Sequence, residues 1–209
     1  MKKITIFGAD GRTGSLVVKE SIKQGYSVTA FVYLESAKDY LPKDIKIVQG
    51  DVMSKEDVSR AVDGCDVVVS VVGHIKGSDP FMQTKGIENI TQAMKEQGVD
   101  RIISLTGTGV REGGDKITVL DRVANFMISK IDPERVNDGI KHAEVLKESG
   151  LGWTVLRVLK LSNEEGGLEY KISEHGPVEN LSHRNRVAKV LVDLINNSEW
   201  LKKSPILSK

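Results

Sequence analysis

Short apolar runs alternate with longer amphipathic stretches along most of this chain. Ile4, Thr5, Ile6 and Phe7 predict a buried strand, and after a glycine-rich turn Leu16, Val17 and Ile22 mark a helix that stops at Gly25. A β-rich stretch over 27–32 and a third strand over 45–48 follow, then a charged helix over about 55–62 and a fourth strand over 66–72. Ile87, Ile90, Ala93 and Met94 share one face of the next helix, which ends at Gly98. Residues 101–105 and 153–158 read as strands five and six, with a helix over about 134–149 between them. Apolar strands separated by helices predict an α/β fold, a doubly wound parallel sheet with helices on both faces.

Two stretches depart from that rhythm. Residues 107–132 form a long connection after strand five, with Val119, Val123, Phe126 and Met127 at helical spacing. The tail from Glu164 onward mixes short β-like pieces with a helix over 187–195. A long excursion beside the carboxyl edge of such a sheet either builds a substrate wall or covers the sheet edge. With no internal repeat and no linker, the pattern predicts one domain over 1–209, its substrate side built by 107–132 and 159–182.

Charge and composition narrow the function. Thirty basic residues face 29 acidic ones among the 209, a formal net charge of +1. Nucleic-acid and anionic-membrane binders normally carry a basic excess, so neither partner is expected. Cys65 has no second cysteine to pair with, which suits a reducing, cytoplasmic setting. The apolar run after Met1-Lys2-Lys3 ends at Phe7, too short for a signal-peptide core, and 67–72 is far below membrane-spanning length. The expected partner is a small molecule, with no metal, in a monomer or a small homo-oligomer.

The sharpest local signal is Gly8-Ala9-Asp10-Gly11-Arg12-Thr13-Gly14, between the first strand and the first helix. Glycines three apart allow a tight turn, close approach of a ligand and close packing of helix on sheet. The helix start beyond them offers free N–H groups and a positive dipole end to a pyrophosphate. In that order, at the start of a β/α repeat, the turn predicts dinucleotide binding through Gly8, Asp10, Gly11, Arg12, Thr13 and Gly14.

The spacing G-x-x-G-x-x-G resembles atypical and extended members of the short-chain dehydrogenase/reductase superfamily. Gln49-Gly50-Asp51-Val52, Val71-Val72-Gly73, the run from Ser149 to Arg157 and Leu181-Ser182-His183-Arg184-Asn185-Arg186-Val187-Ala188 carry the likeness further. Together they resemble the NmrA-like reductases, close to the biliverdin-IXβ reductase and flavin reductase group, which implies a Rossmann-like fold. The resemblance implies that Asp51 and Val52 meet the adenine, that Val72 and Gly73 lie beside the ribose, and that Thr13 donates to the pyrophosphate. It also implies cofactor contacts at Val32, Tyr33 and Thr106.

Three departures stand out. Val32-Tyr33 replaces the Val-Arg that holds an NADP 2′-phosphate in relatives, Val158 stands where a proline commonly follows the arginine of strand six, and Gly107 replaces a serine near the nicotinamide. The Tyr–Lys pair of classical members is also absent: no lysine follows four residues after Tyr26, Tyr33, Tyr40 or Tyr170, and the helix that should carry the pair reads Asn137 to Glu144 without tyrosine. The resemblance then implies hydride transfer to a flavin, quinone or similar planar acceptor, which can take its proton from water. The alternative is a non-catalytic dinucleotide sensor of the NmrA type; lack of an interaction tail favours the enzyme. Candidate catalytic groups are Thr106, His74 and His142, the last either on the helix face toward the site or, the favoured reading, on a solvent-facing helix surface. Substrate-side candidates are His74, Thr108 and Lys160, at the carboxyl ends of strands. Arg12 could fork onto a 2′-phosphate, whereas Glu35 would repel it; the balance leans to NADP(H) over NAD(H).

Overall fold

A computed structural model describes residues 1–75, 77–178 and 181–208. Six strands, β1 (Lys3–Phe7), β2 (Ser27–Val32), β3 (Lys46–Gln49), β4 (Val67–Ser70), β5 (Arg101–Gly107) and β6 (Gly152–Val158), pair in parallel in the order β3-β2-β1-β4-β5-β6. Short pieces follow: β7 (Leu161–Ser162), β8 (Ile172–Ser173), β9 (Ser182–His183) and β10 (Ile206–Leu207). β10 joins β6 in parallel and carries β8 antiparallel at the edge, while β7 pairs with β9 as a separate ribbon. The strand order reverses between β1 and β4, and ligands of open α/β sheets bind in the crevice at such a switch point.

Helices cover both faces because each strand buries side chains on both. On one face, Val17 and Val18 of α1 (Gly14–Lys23) and Val187, Val190 and Leu191 of α6 (Arg184–Asp193) pack on Ile4, Ile6 and Val69. On the other, Val58 of α2 (Lys55–Val62), Ile87 and Met94 of α3 (Met82–Glu96) and Leu146 of α5 (Pro133–Glu148) pack on Phe7, Val68, Ile102 and Val155. Local chemistry sets the starts of these helices. Ser54 accepts from the Asp57 N–H ahead of α2, and Asp132 caps α5 at the Arg135 N–H, with Pro133 in the first turn.

Some predicted bounds shift. β4 stops at Ser70 rather than 72: the Val71 N–H makes a last bond to Phe7 O at 3.0 Å, and with β1 ended the backbone of Val71 and Val72 lies against Gly8. The last helix runs over Arg184–Asp193 rather than 187–195. The excursion after β5 does contain a helix, α4 (Val119–Ile131), but its apolar positions face outward: Val119 is 79% and Phe126 60% exposed, with Val123 and Met127 also exposed. They cover no sheet edge. The inner face is held instead by Asp121 and Asn125, with Ala124 against Leu159, Val178 and Ile206. Residues 179 and 180, within the stretch 159–182 assigned to the substrate side, lie outside the described residues. Among the described residues no helix is long and apolar enough to cross a membrane.

Candidate functional site

The glycine turn links the end of β1 to the start of α1 at the carboxyl edge of the sheet. Gly8 adopts φ +78°, and a Cβ there would lie 3.0 Å from the Val71 carbonyl oxygen and 3.1 Å from Val72 Cα. A Cβ on Gly14 would overlap the Gly8 carbonyl oxygen and lie 2.8 Å from Ala9 Cα. Gly11 closes the turn, its N–H donating to Gly8 O at 3.0 Å. The backbone N–H groups of Arg12, Thr13 and Gly14 find no acceptor among the described residues, and the buried Thr13 begins α1 without a side-chain cap. Unclaimed N–H groups at a helix amino terminus, against a backbone with no side chain in the way, fit the phosphates of a dinucleotide.

Asp10 has a structural role beside its place in the turn. Its Oδ2 accepts the backbone N–H groups of Tyr33 at 2.9 Å and Leu34 at 3.0 Å, so that carboxylate oxygen ties the turn to the loop after β2. The Tyr40 hydroxyl, which sequence reasoning did not single out, donates to the Asp10 carbonyl at 2.8 Å and closes the same loop over the turn. Burial, then the nearby Asp10 charge, pushes the Tyr40 phenol up from its ordinary value. Val32 is fully buried, while the Tyr33 side chain is exposed beside it. Glu35 is offset by Lys38 at 3.3 Å.

The next part of the carboxyl edge is built around Asp51 and Val52. Asp51 Oδ1 accepts the Met53 N–H at 2.8 Å, a local turn, and its own N–H donates to Asp57 Oδ2 at 3.0 Å. Asn89 donates to the Val52 carbonyl at 3.0 Å, and Gly86 leaves room for the Val52 side chain, which a Cβ would approach to 2.8 Å. Val72 is half-buried and Gly73 exposed as the chain leaves β4.

Where β4 and β5 end, α5 brings a polar cluster against the loop. His74 Nε2 lies 2.7 Å from Asp138 Oδ2, and Thr106 Oγ1 lies 3.2 Å from where Gly139 would carry a Cβ. Asp138, absent from the sequence candidates, also receives the N–H groups of Gln83 and Thr84, both at 2.9 Å, and so anchors the first turn of α3. Thr108 is buried and its hydroxyl donates to Asp121 Oδ1 at 2.7 Å while accepting from Asn125, so it pins α4. Asp121 is also paired with Arg111. His142 is not on the solvent-facing surface: it is buried, with Nε2 at 2.9 Å from Ser104 Oγ, and burial pushes its imidazole down to about 4 against a smaller opposing pull from Asp138.

That depression has a measurable consequence. Between pH 6.5 and about 4 the unfolded chain binds a proton at His142 that the folded chain refuses, so stability falls as pH drops through that window. A shift of this size is worth about 3 kcal/mol. Urea unfolding at pH 7 and pH 4.5 should show the acid-side loss reduced in His142→Gln; equal losses in both proteins would assign acid sensitivity to other groups.

Arg12 is exposed at the turn, and Arg184 stands near it at the start of α6. Burial, then the Arg12 charge, pushes the Arg184 guanidinium down. Arg184 donates to Asn163 Oδ1 at 2.6 Å, and its Nε is buried without a partner among the described residues. Lys160 is exposed after β6. Among the described residues no cluster of His, Cys, Asp and Glu is placed to hold a metal ion. The geometry therefore joins the glycine turn, Tyr33, Asp51–Val52 and Val72–His74 along one edge, with Thr106 and Asp138 at its β5 end.

Comparison with known proteins agrees with this architecture. The profile of a family described as NAD(P)H-binding matches residues 8–198. An uncharacterised chloroplast protein of Arabidopsis thaliana is 28% identical over 178 residues, covering 78% of this chain and 60% of the relative. The chain thus spans about half the length of the first curated relatives it matches, 60% and 47% for two of them. A short-chain dehydrogenase/reductase of Veillonella parvula solved with NADP superposes with a TM-score of 0.81 at 18% identity, covering 100% of this chain and 94% of that one. An anaerobillin reductase from Escherichia coli superposes with a TM-score of 0.82 at 16% identity, covering 99% and 96%. At such identities these structures establish the Rossmann-like fold, which is also the predicted one.

Proposed function

This chain belongs to the NAD(P)H-binding family, and from that premise we propose that it is a reductase that transfers hydride from NADPH to a flavin, a quinone or a similar planar conjugated acceptor. The observation that carries the reading is the cradle at Gly8, Gly11 and Gly14, with unclaimed N–H groups at Arg12, Thr13 and Gly14. Those groups would hold the pyrophosphate, Asp51 and Val52 the adenine, and Val72 and Gly73 the ribose next to the reacting end. The bound nicotinamide supplies the hydride. The polypeptide supplies orientation: two flat rings held face to face need little more from the protein than position and exclusion of water.

The helix α5 carries no tyrosine, which supports an acceptor that does not call on a Tyr–Lys pair. An anaerobillin reductase is among the proteins that share the fold, which suits a reductase reading. For the cofactor, Arg12 favours NADPH, and the Glu35–Lys38 pair weakens the repulsion a lone Glu35 would exert on a 2′-phosphate. A small-molecule acceptor, a cytoplasmic setting and a monomer or small homo-oligomer complete the proposal.

One experiment tests it. Purified protein mixed with NADPH or NADH and a panel of flavins and quinones should oxidise the nicotinamide with at least one acceptor, and faster with NADPH. Arg12→Ala should weaken NADPH binding about ten- to a hundredfold, the worth of one charge-assisted contact, with a smaller effect on NADH. Cofactor binding without turnover on any acceptor would overturn the enzyme in favour of a dinucleotide sensor. Equal weakening of both cofactors would remove the phosphate role of Arg12.

A further inference from the structure

The geometry points to His74, held by Asp138, as the group that hands a proton to the acceptor while the acceptor takes up hydride. This rests on the reductase reading above and adds a proton donor to it.

Asp138 is 0% exposed, and everything that touches its carboxylate can donate. Oδ2 meets His74 Nε2 at 2.7 Å and the Gln83 N–H at 2.9 Å, while Oδ1 meets the Thr84 N–H at 2.9 Å and Thr84 Oγ1 at 2.5 Å. Backbone N–H groups only donate, so the carboxylate acts as an acceptor throughout and His74 Nε2 must carry the proton of that contact. The tautomer is thereby set, and Nδ1 is left as the ring atom that exchanges protons. A merely structural account explains Asp138 without explaining His74. Gln83, Thr84 and the Thr84 hydroxyl already satisfy both carboxylate oxygens and fix the amino end of α3, which has no side-chain cap of its own. The histidine is an extra donor whose side chain is 14% exposed, at the surface of an otherwise closed cluster.

Its position suits the task. His74 follows Val72 and Gly73 directly after β4, and Asp138 adjoins Gly139, against which Thr106 of β5 packs. These are the carboxyl ends of the two strands beyond the switch point. Ser78 Oγ stands 3.5 Å from Nδ1, on the same loop, and provides a route for reprotonation from solvent. The charged groups facing the ring are Asp138 from α5 and Asp79 from the loop, Asp79 being paired with Lys85 of α3 at 2.7 Å. His142 lies one turn beyond Asp138 and is kept neutral by burial.

The balance is simple. The acceptor gains two electrons and one hydrogen as hydride from the dihydronicotinamide, and one proton from Nδ1 of His74 in its doubly protonated imidazolium form, which solvent protonation of Nδ1 supplies. The neutral imidazole then regains a proton from water, while Asp138 keeps its hydrogen bond to Nε2–H throughout. His74 is the catalytic group and Asp138 a positioning residue.

Two acceptors separate this role from a structural one. A naphthoquinone needs hydride and a proton; the N-methylphenazinium cation needs hydride alone. In His74→Gln, the ratio of phenazinium to quinone rates should rise about a hundredfold or more, the usual worth of a general acid. An unchanged ratio, whether both rates fall or neither does, would overturn the proposal. Wild-type protein that binds NADPH yet reduces neither acceptor would overturn the reductase reading, and this inference with it. Cofactor-free wild-type protein gives an independent readout: ring-nitrogen NMR shifts at high pH should report the Nε2–H tautomer of His74. The Nδ1–H tautomer would overturn the assignment of Asp138 as its partner.

Discussion

Gly14→Ala should abolish detectable binding of NADPH and NADH while leaving a folded protein. A single methyl group suffices because the site has no room for it: the added Cβ would overlap the Gly8 carbonyl oxygen and sit 2.8 Å from Ala9 Cα. Gly8 cannot retreat, since its own Cα faces the backbone of Val71 and Val72 at the end of β4. The start of α1 must move instead, and with it the N–H groups of Arg12, Thr13 and Gly14. Overpacking of this kind costs typically about 1–3 kcal/mol of stability, which an ordinary domain survives. Binding has less margin. A hydrogen bond to a charged group is worth about 1.5–3 kcal/mol, so losing two lowers affinity by roughly a hundred- to ten-thousandfold. Gly113→Ala, in the loop after β5, makes the control, because a Cβ there meets nothing within 4 Å. Calorimetric titration of both variants, with circular dichroism to verify folding, checks the prediction. Unchanged affinity in a folded Gly14→Ala protein would remove the turn from the cofactor site.

The parts of this fold that sequence reveals are those governed by short-range periodicity. Ile4 to Phe7, the strand over Ser27–Val32 and the helix over Lys55–Val62 are legible because burial, capping and turn chemistry all act within a few residues. What sequence conceals depends on partners far along the chain. The spacing of Val119, Val123, Phe126 and Met127 correctly reads as helical, yet the face that turns inward is chosen by Asp121, which binds Thr108, Arg111 and Asn125. A buried polar network outweighed the apolar stripe, and the period alone carries no information about that. His142 shows the same limit: its partner Ser104 is 38 residues away, on β5. Asp138 reads as an ordinary helical aspartate until α3 and His74 are brought to it. Asp10 was legible as part of the glycine turn, whereas its backbone partners in the loop after β2 were not.

Arg157→Met should be the most destabilising single substitution in the outer half of the sheet, by about 3–5 kcal/mol. The side chain is 0% exposed, next to the last residue of β6, and all of its N–H donors are used. Nε donates to Ser204 O at 2.7 Å; Nη1 to Val110 O at 3.1 Å and Asp115 Oδ2 at 2.5 Å; Nη2 to Asp115 Oδ1 at 3.0 Å and Glu174 O at 2.9 Å. One guanidinium thus joins the loop after β5, the β8 turn and the segment entering β10. Burial on its own would raise the Asp115 carboxyl, but the bonds from Arg157 and the Glu112 N–H, with the charges of Arg157 and Arg111, hold it low. Methionine fills much of the same volume and removes the charge, leaving Asp115 buried with the Glu112 N–H and a distant His175 at 3.8 Å. The penalty therefore comes from the stranded carboxylate more than from lost packing, and that distinction can be tested. Arg157→Met combined with Asp115→Leu should recover much of the loss, because an apolar pair replaces a buried ion pair at little net cost. Arg157→Lys should recover little, since an ammonium has three donors and no fork to span the same acceptors. Urea unfolding of the three variants decides the matter: a loss in Arg157→Met below about 1 kcal/mol would mean that Asp115 finds water or another cation. Loss in the double variant equal to that in Arg157→Met would shift the cause from the carboxylate to the carbonyls of Val110, Glu174 and Ser204 left without a donor.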